Sequence, residues 1–118
     1  MKPRTLTQTF NDGVAKMYEA RNIAEDGDLP KYEYVMKIET LCYEERTVGM
    51  TRFWAASQEN TKIDLLLRFP RVDFVFRDDI VVLSDGKQYG IKQIQYPPEV
   101  EPKCMDLSLE RLEVAYEL

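Results

Sequence analysis

The sequence predicts a mainly β domain: a small closed or partly open antiparallel β-barrel of about six short strands, with one short helix allowed beside it. Three observations predict this. Apolar residues recur at every second position through most of the chain, which is the period of a half-buried strand. Turn-forming residues divide the chain into pieces of strand length, with no internal repeat or low-complexity tract. At 118 residues the chain has room for one core, so residues 1–118 read as a single domain. Short strands in so small a domain hide their edges by closing into a barrel or stacking as a sandwich.

The elements follow in order. The Asp12-Gly13 turn leads into a first strand over residues 14–20. Residues 22–30 include Glu25-Asp26-Gly27-Asp28-Leu29-Pro30, a run of turn formers and like charges that belongs in an exposed loop. Next, Tyr34, Met36, Ile38, Thr40 and Cys42 alternate with Val35, Lys37 and Glu39, a long strand with a bend near Leu41 where the phase blurs. Residues 50–60, containing Phe53-Trp54-Ala55-Ala56, hold a short helix or an irregular crossover. Ile63, Leu65, Leu67 and Phe69 then alternate with Lys62, Asp64, Leu66 and Arg68, the pattern of a half-buried strand. Residues 79–83 are apolar and β-branched after the first, as in a strand covered on both faces.

Asp85-Gly86 lies between two apolar runs and marks a hairpin, because both residues tolerate the positive φ of a tight turn. In the returning strand, residues 87–96, Tyr89 and Ile91 share one phase whereas Ile94 and Tyr96 share the other; a β-bulge near Lys92-Gln93 absorbs the slip. Residues 96–102 contain three prolines and read as a stiff surface connection. For the last segment, Met105, Leu109, Leu112 and Tyr116 fit a helix, while Leu107 and Leu109 followed by Leu112, Val114 and Tyr116 fit a bulged strand. The strand is the reading adopted.

Composition excludes several chemistries. There is no histidine, so Ser-His and Cys-His nucleophilic sites are ruled out and Ser57, Ser84 and Ser108 have no such base. Cys42 and Cys104 form no CxxC pair; two buried, reduced thiols are expected, with a disulfide between them as the alternative. Glu25-Asp26-Gly27-Asp28 is the only oxygen-donor cluster to consider for a metal. It lacks the spaced donors of a calcium loop and reads as a solvated turn. Carboxylate pairs such as Asp78-Asp79 and Glu44-Glu45 are inevitable among 21 acidic residues and do not identify an acid-base site.

The glycines at 13, 27, 49, 86 and 90 are scattered and form no phosphate-cradling loop. No catalytic site, cofactor or metal is expected. A formal charge of −5 without a basic cluster argues against nucleic acid as a partner. The opposing observation is that Arg52-Phe53-Trp54 and Arg68-Phe69-Pro70-Arg71 interleave cations with aromatic rings, as single-strand binders of the OB type do. No stretch has the length and apolarity of a membrane span, and the first residues lead into no signal-like run, so cytoplasmic synthesis is expected.

Residues 46–56 (Arg46-Thr47-Val48-Gly49-Met50-Thr51-Arg52-Phe53-Trp54-Ala55-Ala56) and 60–71, with the strand at 79–83, the Asp85-Gly86 turn and residues 87–95, resemble the head-tail joining family of long-tailed bacteriophages. These are head-closure (stopper) or adaptor proteins. The likeness runs from Tyr32 to Leu118. It implies a small β-barrel that self-associates as a ring between portal and tail, binding portal or adaptor and tail-side proteins and carrying no cofactor. It also implies residence in the host cytoplasm during assembly and then at the head-tail interface of the virion. An acidic ring suits a DNA channel, since it repels the phosphate backbone and lets the duplex slide.

On that resemblance, residues 46–60 and 22–31 are where ring and portal contacts are expected. Arg46, Met50, Arg52, Phe53 and Trp54 supply the aromatic, Met and Arg side chains that interface cores favour. The competing reading of Phe53 and Trp54 is that they fill the barrel. Arg68 and Arg71 also match family positions; their competing reading is a salt bridge with Asp64 or Asp73.

Overall fold

The computed structural model describes residues 6–47 and 62–118. Strands among these residues are β1 (Leu6–Thr7), β2 (Gly13–Asn22), β3 (Tyr32–Arg46), β4 (Leu65–Pro70), β5 (Ile80–Leu83), β6 (Gln88–Gln95), β7 (Val100–Glu101) and β8 (Cys104–Arg111). Six close into a barrel in the order β2-β3-β4-β8-β6-β5, with β5 returning to β2 and every pairing antiparallel. This is the expected fold class. The described residues contain no helix; residues 50–60, the place expected for one, lie outside them. No described helix is therefore long and apolar enough to cross a membrane.

The core follows from strand alternation. Ala15 and Met17, Leu67 and Phe69, Val81, Tyr89 and Ile91, and Met105, Leu107 and Leu109 all point inward and are buried. The β4–β5 connection, residues 71–79, adds Val72 and Val75 to the same cluster. At about 2 kcal/mol for each large apolar side chain removed from water, this set is the main source of stability.

Sequence alternation located β4, but the structure buries it further. Leu66, Leu67, Arg68 and Phe69 are all buried, so both faces are covered instead of one. The Asp85-Gly86 hairpin closes as its residue types dictate: Gly86 has φ +82° and its N–H donates to the Leu83 carbonyl, while Asp85 accepts from the Lys87 N–H. The bulge in β6 falls at Lys92, between the pairs Ile91–Leu109 and Gln93–Ser108, so Ile91 and Ile94 both reach the core.

Two register shifts occur in β3. Ala15 faces Leu41 and Met17 faces Ile38, leaving an extra residue on β3, and another follows before Tyr18 faces Met36. The inward set is consequently Ile38, Leu41 and Tyr43, with Met36 and Cys42 exposed. This corrects the simple even-numbered alternation expected for β3. It also corrects the expectation of two buried thiols: the bulges turn Cys42 outward, whereas Cys104 lies in the wall, and both are free.

Residues 96–102 are more than a surface connection. Val100 is buried, and β7 pairs in parallel with β1, tying residues 6–7 to the connection that leads into β8. The last strand holds as far as Arg111, which settles strand over helix there. Residues 112–118 leave the barrel and are fixed by Gln88, whose side chain both donates to and accepts from the Tyr116 backbone, and by the Tyr34 ring, 4.5 Å from that of Tyr116.

Beyond Tyr18, the last β2 residue paired with β5, residues 19–22 remain paired with residues 32–35 as a two-stranded ribbon. Asn22 closes it by accepting from the N–H groups of Ala24 and Lys31. The Glu25 to Asp28 run at its tip is an exposed turn, with Gly27 at φ +88° and the Asp28 N–H on the Glu25 carbonyl.

Candidate functional site: the outer wall of β3, β4, β8 and β6

With the core phase assigned, the opposite phase of four adjacent strands forms one outer wall, in which Leu66, Arg68, Asp106 and Ser108 are themselves buried. Glu44, Arg68, Asp106 and Gln95 are aligned partners across β3, β4, β8 and β6, followed by the row Arg46, Leu66, Ser108 and Gln93. Antiparallel pairing is what brings these together, since they come from four separate stretches of sequence.

Arg68 is the centre of the first row. Its Nε and Nη2 donate to the two carboxylate oxygens of Asp106 at 2.7 and 3.0 Å, and Nη1 donates to Gln8 Oε1 at 3.0 Å. Arg68 and Asp106 are each only 8% exposed. The hydrogen bond to Asp106 outweighs the opposing effect of burial and raises the Arg68 pKa, so the guanidinium stays charged. Gln8 also donates to the Glu44 carboxylate, and its backbone N–H donates to the Glu101 carbonyl, which lays Gln8 across the row.

The expected partners of Arg68, Asp64 and Asp73, are corrected: its partner is Asp106, because β4 pairs with β8 in that register. Asp64 instead approaches Lys62 and accepts from the Arg111 N–H. Arg71 does approach Asp73, at 3.5 Å, and its guanidinium lies 4.3 Å from the centre of the Tyr96 ring. Arg46 lies 3.8 Å from Glu44, half-exposed, in a geometry that contributes little on its own. Met50, Arg52, Phe53 and Trp54 lie outside the described residues.

Beside the Arg68–Asp106 pair, Ile94, Tyr96, Pro97 and Pro98 form a shallow groove of about 520 Å³. Arg68 and Arg71 were legible as candidates in the sequence. Asp106, Gln8 and Tyr96 were not, since no local pattern links positions joined only by barrel closure.

A second ordered surface lies at the foot of the ribbon. Lys37 donates to the Phe74 carbonyl at 2.7 Å and to Asp79 Oδ2 at 2.8 Å; the same Asp79 oxygen accepts from the Phe76 N–H, and Glu19 lies 3.4 Å from the ammonium. Residues 71–79 are thereby fixed to the ribbon.

Neither surface arranges groups for proton transfer. Both Asp106 oxygens are held by Arg68, and Asp79 is held by Lys37. Burial raises the pKa of the Cys104 thiol, away from the thiolate that a nucleophile requires. Among the described residues no group of three acidic or cysteine side chains is placed to hold a metal ion. No protein-family model matches the chain, and no curated protein sequence matches it.

Proposed function

We propose that this chain is a non-catalytic structural subunit of a bacteriophage head-to-tail connector. It assembles between portal and tail, closing the DNA channel or presenting the surface on which the tail docks. The observation that carries this reading is the distribution of its ordered groups: apolar and aromatic side chains fill the barrel, while the fixed ion pairs, with the Tyr96 ring, lie on its outer wall and at the ribbon. Such a molecule offers surface. The stretches behind the family resemblance supply β4, β5, the Asp85-Gly86 turn and β6 of one barrel, with β5 and β6 paired directly and β4 joined to β6 through β8.

On this reading, Arg46, Arg71 and Tyr96 at the rim of the wall meet the neighbouring ring, with Met50, Arg52, Phe53 and Trp54 expected in the same contact. Arg68 holds the wall in shape. The test is sedimentation of the purified chain with the portal ring of the same genome. Co-sedimentation is expected, and a portal ring that leaves the chain in the supernatant at micromolar concentrations rejects the reading.

A further inference from the structure

Phe74 and Phe76 are 50% and 59% exposed, although Val75 between them is 3% exposed and anchored in the core. Their backbone is not loose: Lys37 and Asp79 hold the Phe74 carbonyl and the Phe76 N–H. Two large aromatic side chains are thus displayed on a loop whose ordering cost was met on folding, which favours binding. On the outer wall of β2 and β5 the same chain carries a groove of about 350 Å³, formed by Val14, Tyr18, Thr40 and Val82, with Lys16 and Glu39 also lining it. Neither phenylalanine lines the groove of its own subunit.

We propose that Phe74 and Phe76 of one subunit seat in the β2–β5 groove of a second copy of this chain. Size and polarity match: the groove is mostly apolar and has the volume of a small ligand pocket. Charge matches as well. Arg77 and Asp78 follow the phenylalanines in the loop, and the groove presents one anion, Glu39, and one cation, Lys16. Because the protruding loop and the groove are different patches, the contact is head-to-tail and repeats from copy to copy until it closes into a ring or continues as a filament. Ring closure rests on the connector reading; the contact itself does not.

The test joins the two patches by disulfide exchange. Cys42→Ser removes the exposed native thiol, and Phe76→Cys with Val82→Cys places one thiol on each side of the contact. Under mild oxidation of concentrated protein, a ladder of crosslinked dimers and larger species is expected. Phe76→Cys paired with Glu113→Cys, away from the groove, serves as the control; a ladder no stronger than that control overturns the proposal.

A second measurement follows self-association by sedimentation. Phe74→Ser with Phe76→Ser, both on exposed side chains, is expected to weaken association about tenfold or more, as loss of a central aromatic anchor does. Arg77→Glu is expected to weaken it too, with Glu39→Arg restoring part of the loss. Unchanged association in these folded variants also overturns the contact. The two readings fail separately: a Cys42→Ser, Phe76→Cys, Val82→Cys variant that binds the portal ring without crosslinking there removes this contact alone, whereas a ladder in solution without portal binding removes the connector role alone.

Discussion

Arg68 and Asp106 hold the outer wall in register, and the physics of buried ion pairs says what that is worth. Both are desolvated, and the fork-to-carboxylate geometry compensates for that cost only while both partners remain. Arg68→Ala leaves a buried carboxylate uncompensated and is expected to cost about 3–5 kcal/mol, read as a lower urea midpoint. The double change Arg68→Met with Asp106→Leu is expected to recover most of that loss. Burial also raises the pKa of Tyr43, Tyr89 and Cys104. The folded chain holds these protons more tightly than the unfolded one, so their contribution is complete below the unfolded values and is lost as pH rises through the folded ones. With ordinary values of about 8.5 for Cys and about 10 for Tyr, the melting temperature is expected to fall above about pH 9. Tyr89→Phe should flatten the upper part of that fall. If wild type and variant lose stability equally between neutral pH and pH 11, the tyrosine does not contribute.

Strand pairing, more than any one side chain, decides what faces where. The two extra residues of β3 reverse its inward phase twice, which is why Met36 and Cys42 are exposed and Tyr43 is buried. At the head of this pairing Gly13 faces Tyr43, and a β-carbon added there would lie 2.5 Å from the tyrosine hydroxyl. Gly13→Val is therefore expected to destabilise by about 1–3 kcal/mol in thermal melts, the usual cost of forcing extra bulk into a packed site. The ribbon and residues 71–79 form one unit through Lys37. Lys37→Met leaves Asp79 without its cation and is expected to speed hydrogen exchange at the Phe76 amide by tenfold or more, on the order expected when a buried charge loses its partner. Unchanged protection there would mean that Val72 and Val75 alone hold the loop. From sequence, the bulge at Lys92 could be read because apolar residues stand on both sides of the slip. In β3 the blurred phase near Leu41 marked the shift between Leu41 and Ile38, but the second shift could not be read, since Met36 and Lys37 fit either phase until β2 supplies the partner row.

At the scale of the whole molecule, charge and closure dominate. A net charge of −5 opposes binding to phosphate, and Arg68 is neutralised by Asp106 while Arg71 stacks on Tyr96 beside Asp73. No retardation of single-stranded oligonucleotides is expected in a gel shift even at about 50 mM salt, where phosphate contacts are strong. Clear retardation there would favour the OB-like alternative over the connector. The barrel order pairs β4, reached at residue 65, with β8, which starts at residue 104, and residues 71–79 link β4 to β5 although two strands separate them on either side of the barrel. Local sequence carried the strand periods outside β3, the Asp85-Gly86 turn, the Lys92 bulge and the lack of imidazole chemistry, because each depends on neighbours a few residues apart or on composition. Only the tertiary structure decided that Arg68 meets Asp106 and Gln8, that Cys42 faces outward and that Phe74 and Phe76 are held exposed. Those outcomes depend on the register between distant strands, which no local spacing encodes.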